Sequence, residues 1–453
     1  MDYLQLSQRL IPVCANVDLC VVGGGVTGVF AAVRAARLGM KVALVERFSS
    51  LGGMATNGHV NIWHSLYNTS GEKQIIAGLT EEVIQMLQAS GATDHQNKVD
   101  DRIMFNSHEL KCILDALILE NKITLFLHSF YAGIETDGDI ATSVLICGKD
   151  GLRAIKADFF IDSTGDGDLA RDLGLESYRL DPIQPPTPVF LLQGDAENLD
   201  LTRLYQAHTD EFDLGDDFCA GWHENHPTCP GITTRADIHV SPLHLDRAEE
   251  LTKAELEGRK KIQSMVQLLK KYGKANESYN IISMCNGIGT RDTVHYRTRY
   301  CANEKDLLLG KSYDDTILQG TYNIDIHCAG GSGIIFKLFD GTIHYLDPKR
   351  NHSEYGNWRI EYGIDEREYP IATYYQLPFS NLVNEQYRNF IAVGRMIHAD
   401  IGSFGALRVM VNLNQLGEAA GVAAYISLHQ NKSLQELDGT YVRNQLRNGG
   451  SAL

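Results

Sequence analysis

Residues Asp18–Glu46, DLCVVGGGVTGVFAAVRAARLGMKVALVE, join a short apolar strand, a glycine-rich turn, a helix of small and apolar residues, a second strand and a terminal carboxylate. Leu19–Val22 reads as a buried parallel strand because both of its faces are apolar. Gly23 allows the tight turn, Gly25 lets the backbone approach a pyrophosphate, and Gly28 lets the helix pack closely on the strands. The amides at Val26 and Thr27 open the helix and are free to meet phosphate oxygens. Glu46 ends the second strand, where a carboxylate accepts hydrogen bonds from both ribose hydroxyls and repels a 2′-phosphate. The glycine spacing alone is weak. With both strands, the helix and the acid in place, the segment reads as a dinucleotide-binding βαβ unit.

Three further segments extend that reading. Arg47 follows the acid, and SSLGGMATNG then supplies Gly52, Gly53 and Met54. Residues 157–170, ADFFIDSTGDGDLA, begin as a buried strand and break into a turn with Thr164, Gly165 and Asp166. Near the C-terminus a strand at Phe390–Val393 leads into Gly394-Arg395, an irregular loop with His398 and Asp400, and a long helical tail carrying Arg408 and Asn414.

Together these segments resemble the FAD-dependent oxidoreductase family, a two-dinucleotide-binding-domain-like group of flavoproteins distantly related to fumarate reductase, GidA-type and heterodisulfide reductase A flavoproteins. The Gly52-Gly53 pair resembles the flavoprotein version of the fingerprint, which pyridine-nucleotide enzymes usually lack. The resemblance implies FAD as cofactor, the Thr164–Asp166 turn beneath it, and Asp400 reaching its ribityl or pyrophosphate part. It also implies that Arg408 and Asn414 belong to the cofactor site and that the last helix points its N-terminus at the flavin. Gly289, Arg291, Asp292 and Thr293, then Tyr300, Asp306, Asp325-Ile326-His327 and the Tyr374–Phe379 strand, stand in the family's order. Val294, Thr298 and Ala302-Asn303 depart from its pattern.

The expected architecture is α/β: a Rossmann-like FAD-binding domain with a β-meander, residues 1–180 and 370–453, and an inserted α+β substrate domain, residues 181–369. The meander is placed at 129–136, 140–147 and 152–156, with helices near 78–90, 107–121 and 245–272. The proline-rich DPIQPPTP at 181–188 marks the exit into the second domain.

Composition narrows the function. With 453 residues and 43% apolar content the chain can bury a large core. A formal net charge of −16 argues against nucleic acid, whose binding is dominated by phosphate contacts. No apolar run approaches the ~20 residues of a membrane span, and nine scattered cysteines without a CxxC suit reduced thiols in the cytoplasm.

Flavin chemistry needs a group to handle the proton and cations to hold an anionic substrate. His327, Arg291, Tyr375 and His398, in that order, are the candidates for substrate contact or proton transfer. Equally open is a buried ion pair of Arg291 with Asp325, and a merely structural His327. His59 and His64, in NGHVNIWHS, are expected near the flavin ring, where one could carry a covalent link. Cys219, His223, His226 and Cys229 have zinc-like spacing, but a solvated loop is the preferred reading and no metal is assigned. The function expected is hydride transfer between a small organic substrate and FAD, with an unidentified electron acceptor; whether the chain forms a homo-oligomer is left open by the sequence. A redox-neutral flavoprotein, an electron-transfer subunit and a nicotinamide-only dehydrogenase are the alternatives.

Overall fold

The computed structural model describes residues 10–95, 102–196, 199–214, 221–328, 333–347, 350–365 and 367–453. Its main sheet is built on Val13–Val22, flanked in parallel by Val42–Val45 and Gly151–Asp162. Thr124–Phe126 adds a parallel edge beside Val42–Val45. These strands are apolar on both faces because helices cover one side and the meander folds over the other.

Gly151–Asp162 is one continuous strand with two jobs. Its first half pairs antiparallel with Ile140–Gly148, which pairs with Phe130–Asp137 to make the meander. Its second half takes Phe390–Ala392 in parallel, in register Phe390 to Phe160. The sequence reading divided this stretch at 156–157; a single twisted strand serves both partners instead.

The helix Val26–Arg37 lies against the long helix Met410–Gln430 near the C-terminus. Gly417 and Gly421 allow the close approach, since a side chain at either would run into the Thr27 or Ala31 backbone. Arg34 and Glu418 form a buried ion pair across this contact, and Glu418 also accepts the Leu79 amide at 3.2 Å. Helices Leu79–Ala89 and Ser107–Glu120 fall where the periodicity places them.

The intervening chain builds an antiparallel sheet in the order Trp222–Asn225, Ile232–Ala236, Phe190–Gln193, Asn280–Met284. Helix Ala248–Tyr272 covers it, packing Ile262, Met265 and Leu269 against Phe190 and Leu192. The helix starts at Ala248 rather than Leu245 because Asp246 is held outside it by Arg179, at 2.7 Å. A second antiparallel sheet runs Ile324–His327, Ile334–Lys337, Thr342–Asp347, His352–Asn357. Tyr375–Pro378 pairs with Thr316–Gly320 beside it. The fold is thus Rossmann-like α/β with a meander, joined to a second α+β region.

Candidate active site

The glycine turn is fixed by sterics. Gly23 sits at φ +105°, and a side chain there would strike the Ser163 carbonyl. Ser163 donates its hydroxyl to the Gly23 carbonyl at 2.8 Å, tying this turn to the one after Gly151–Asp162. Gly28 cannot carry a side chain either, because its Cβ would overlap the Gly23 carbonyl oxygen. Gly25 differs: a Cβ there would point into open space. Gly25 is also the N-cap of its helix and caps it with no side chain, so the first-turn amides stay available for an anion.

Asp162 organises the neighbouring turn. Its Oδ1 accepts from the Thr164 amide (3.0 Å) and hydroxyl (2.7 Å), and its Oδ2 from the Leu169 (2.8 Å) and Ala170 (3.0 Å) amides. Burial raises its pKa to about 6 despite those bonds. Glu46 accepts the Gly24 amide at 2.7 Å and the Phe48 amide at 2.8 Å. Burial raises its pKa too, while the two amides oppose the shift.

These segments enclose a cavity of about 430 Å³, within the range of cofactor sites. Gly23, Gly25, Val26, Thr27 and Glu46 line it, as do Arg47, Gly53 and Met54. Thr164, Gly165, Gly394, Arg395 and Arg408 complete that wall. The helix Met410–Gln430 also starts on the cavity, at Val409 and Met410, again without a side-chain cap. Two uncapped helix N-termini on one cavity, an acid at the ribose position and an open cradle at Gly25 fit a flavin dinucleotide.

The other cofactor candidates stand behind this wall. Gly52, at φ +98°, forms a backbone bridge with Gly25, and Asp166 pairs with Arg395. Asp400 caps helix Ile401–Leu407 through the Ser403 amide and also accepts the Glu304 amide. Asn414 is buried, and neither atom of its amide has a hydrogen-bond partner.

A second cluster lines the same cavity: Arg291, Arg408, Asp325, Tyr322 and His64. Asp325 Oδ2 accepts the Tyr322 hydroxyl at 3.0 Å and meets Arg408 at 3.3 Å. The Tyr322 ring lies 4.1 Å from that of His64. Burial holds the His64 imidazole neutral, its pKa lowered to about 4. Burial and the nearby Arg408 lower Arg291 to about 10, so it stays charged. Arg291 donates to the Pro185 carbonyl at 2.6 Å, to Thr187, and toward His239 Nε2 at 3.1 Å. The salt bridge of Asp325 therefore goes to Arg408, with Arg291 held by Pro185, Thr187 and His239.

Of the four residues proposed for catalysis, Arg291 alone is on the cavity wall. His327 is buried behind it, 4.7 Å ring to ring from His239, with its Nε2 3.8 Å from Asp325 Oδ1. Burial, then Arg291 and Arg408, push its pKa well below the usual value. Tyr375 is fully buried, donating to the Ala406 carbonyl and accepting from Asn412. His398 accepts the Thr298 amide at 3.0 Å beside a separate, water-sized cavity. His59 holds Ser283 at 2.9 Å and lies off the main cavity. Tyr322, Asp162 and Trp222, the last lining the cavity from the strand Trp222–Asn225, are residues the sequence does not single out. Cys219 lies outside the described residues, and among those described no group of three or more potential metal ligands occurs. No helix among them is long and apolar enough to cross a membrane.

Known proteins resemble the chain in parts. Mitochondrial dihydrolipoyl dehydrogenase of Schizosaccharomyces pombe is 32% identical over 101 residues, 19% of this chain and 20% of that enzyme. Dihydrolipoyl dehydrogenase of Trypanosoma brucei brucei is 31% identical over 159 residues, 35% of this chain and 32% of that enzyme. The chain thus spans less than two thirds of the length of either relative. A geranylgeranyl bacteriochlorophyll reductase-like structure from Thermoplasma acidophilum superposes with a TM-score of 0.46 at 12% identity, covering 96% of this chain and 82% of that one, and no conclusion rests on so distant a likeness. Residues 18–446 match the model of the family described as FAD dependent oxidoreductase, and the chain belongs to that family.

Proposed function

We propose that this protein moves a hydride between a small anionic organic substrate and FAD. The observation that carries the reading is that Arg291 and Arg408 line the same cavity as Gly25 and Glu46, so an anion held by the arginines shares the space of the dinucleotide. FAD, when bound, supplies the two-electron acceptor or donor.

The protein's own groups divide the remaining work. Gly25 and the helix it opens hold the pyrophosphate, and Glu46 receives the ribose hydroxyls with the lone pairs its two backbone amides leave free. The N-terminus at Met410 favours negative charge on the ring. Arg291 and Arg408 grip and orient the substrate, whose recognition is strengthened by exclusion of water from a site this buried. His64, neutral and on the cavity wall, takes or returns the proton. His327 backs the site through His239 and Asp325. Reoxidation calls for a separate electron acceptor, and the free cysteines fit a reducing, cytoplasmic setting.

The test is anaerobic. Flavin-loaded protein mixed with small organic anions should lose its visible flavin band in the presence of a substrate and regain it with an acceptor. Turnover that leaves the band unchanged and needs no acceptor would replace hydride transfer with redox-neutral chemistry.

A further inference from the structure

The second cluster specifies a substrate class, an inference that rests on the flavin reading above. Two guanidinium groups, Arg291 and Arg408, face one carboxylate, Asp325. That carboxylate is already engaged by Arg408 at 3.3 Å and by the Tyr322 hydroxyl at 3.0 Å. The cluster keeps a surplus positive charge in a buried setting, which recruits an anion and repels an ammonium group.

A neutral alcohol would leave the Arg291 and Arg408 surplus unanswered, and an amino acid would bring a cation beside it. A carboxylate answers it. The proton acceptor is one ring contact away: the His64 ring lies tilted against Tyr322 at 4.1 Å, and Tyr322 bonds to the same Asp325 that holds Arg408. No hydrogen bond to the His64 ring is formed by the described residues, so its nitrogen is open to a ligand. His64, Tyr322, Asp325 and Arg408 form one run of contacts along the cavity wall, so a single substrate lying there meets the base and the cations together.

We propose that the substrate is a hydroxy acid, its carboxylate on Arg291 and Arg408 and its hydroxyl against His64. Oxidation breaks the carbinol C–H bond, whose hydrogen leaves with both electrons as hydride to FAD. The O–H bond breaks as well, its proton goes to His64, and the C–O bond becomes a carbonyl. The product is the matching oxo acid.

The experiment uses the intact flavin-loaded protein under anaerobic conditions in a stopped-flow spectrometer. The probes are both enantiomers of lactate, malate, 2-hydroxyglutarate and 3-hydroxybutyrate. Alanine, aspartate, glutamate, ethanol and glucose serve as comparisons, and dithionite shows that the flavin can be reduced. The expected result is bleaching by at least one hydroxy acid and by none of the comparisons. Arg291→Gln should raise the apparent Kd for that acid by about tenfold or more, with dithionite bleaching unchanged. His64→Gln should slow bleaching at saturating substrate while leaving Kd near its original value. Bleaching by amines or neutral alcohols instead, or by none of the hydroxy acids while dithionite works, overturns the proposal and leaves the flavin reading standing. A protein that holds no flavin overturns both.

Discussion

Arg408 and Asp325 meet at 3.3 Å, joining the end of helix Ile401–Leu407 to the strand Ile324–His327. The contact is close because Gly405 has no side chain; a Cβ there would lie 2.7 Å from the Asp325 carbonyl oxygen. The helix that leads into the cavity wall is thereby fixed to the sheet that carries Asp325. Arg408→Gln removes a charge-assisted contact to a bound anion, worth about 1.5–3 kcal/mol. The expected outcome is a KM for the anionic substrate raised roughly tenfold to a hundredfold, with flavin content retained. Arg408→Lys should recover little of it, because a lysine cannot reproduce the planar two-pronged geometry. Steady-state kinetics on the two variants, with flavin measured per chain, checks both statements.

Gly25 and Gly28 separate cofactor binding from folding. A methyl group at Gly25 enters open space at an ordinary φ of −63°, so Gly25→Ala should change unfolding free energy by less than about 0.5 kcal/mol. The same methyl group would project into the cavity where the pyrophosphate is proposed to lie, and flavin affinity should then fall at least about tenfold. Gly28→Ala places a methyl group on the Gly23 carbonyl and should cost about 3 kcal/mol or more of stability. Urea unfolding of flavin-free protein, paired with flavin titration, distinguishes the two substitutions.

Acid sensitivity follows from His59 and His64. Each has its pKa lowered from 6.5 to about 4, mainly by burial. Between those values the unfolded chain binds protons that the folded chain refuses, so their stabilising contribution, up to about 3 kcal/mol each, is present above 6.5 and lost as the pH falls toward 4. Asp162 acts in the opposite sense, its pKa raised from 3.8 to about 6, so the folded chain holds an extra proton in that window. Two histidines outweigh one aspartate, and unfolding should become easier from pH 7 to pH 5. His59→Asn, which suits the positive φ of 57° at that position, should flatten the pH dependence of the urea midpoint.

The cofactor half of the site was legible because local rules write it. The turn at Gly23, the helix after it and the acid at Glu46 are all contained in one βαβ unit, and residues 394–414 form a second contiguous stretch. Asp162 was not legible, since an aspartate at a strand end carries no sign of the four hydrogen bonds it accepts. The substrate cluster was read in part. Arg291 and Arg408 were named, but the meeting of His64 with Tyr322 spans most of the chain and is set by packing between regions rather than by spacing. His327 drew attention through its motif, and it shares a strand face with Asp325, yet it is buried against His239 behind the cavity that Asp325 lines. Tyr375 likewise sits in a recognisable strand and spends its hydroxyl on Ala406 and Asn412.

The central claim is that the cavity between Gly25, Glu46, Arg395 and Met410 holds one FAD. The most direct measurement is the visible absorption spectrum of the purified protein, followed by acid precipitation and identification of whatever enters the supernatant. The account predicts a flavin spectrum, one FAD per chain, and release of that FAD by acid. Colour retained in the pellet would instead point to a covalent link, with His64 the candidate that lines the cavity. A colourless protein that gains no flavin absorbance on addition of FAD would contradict the account.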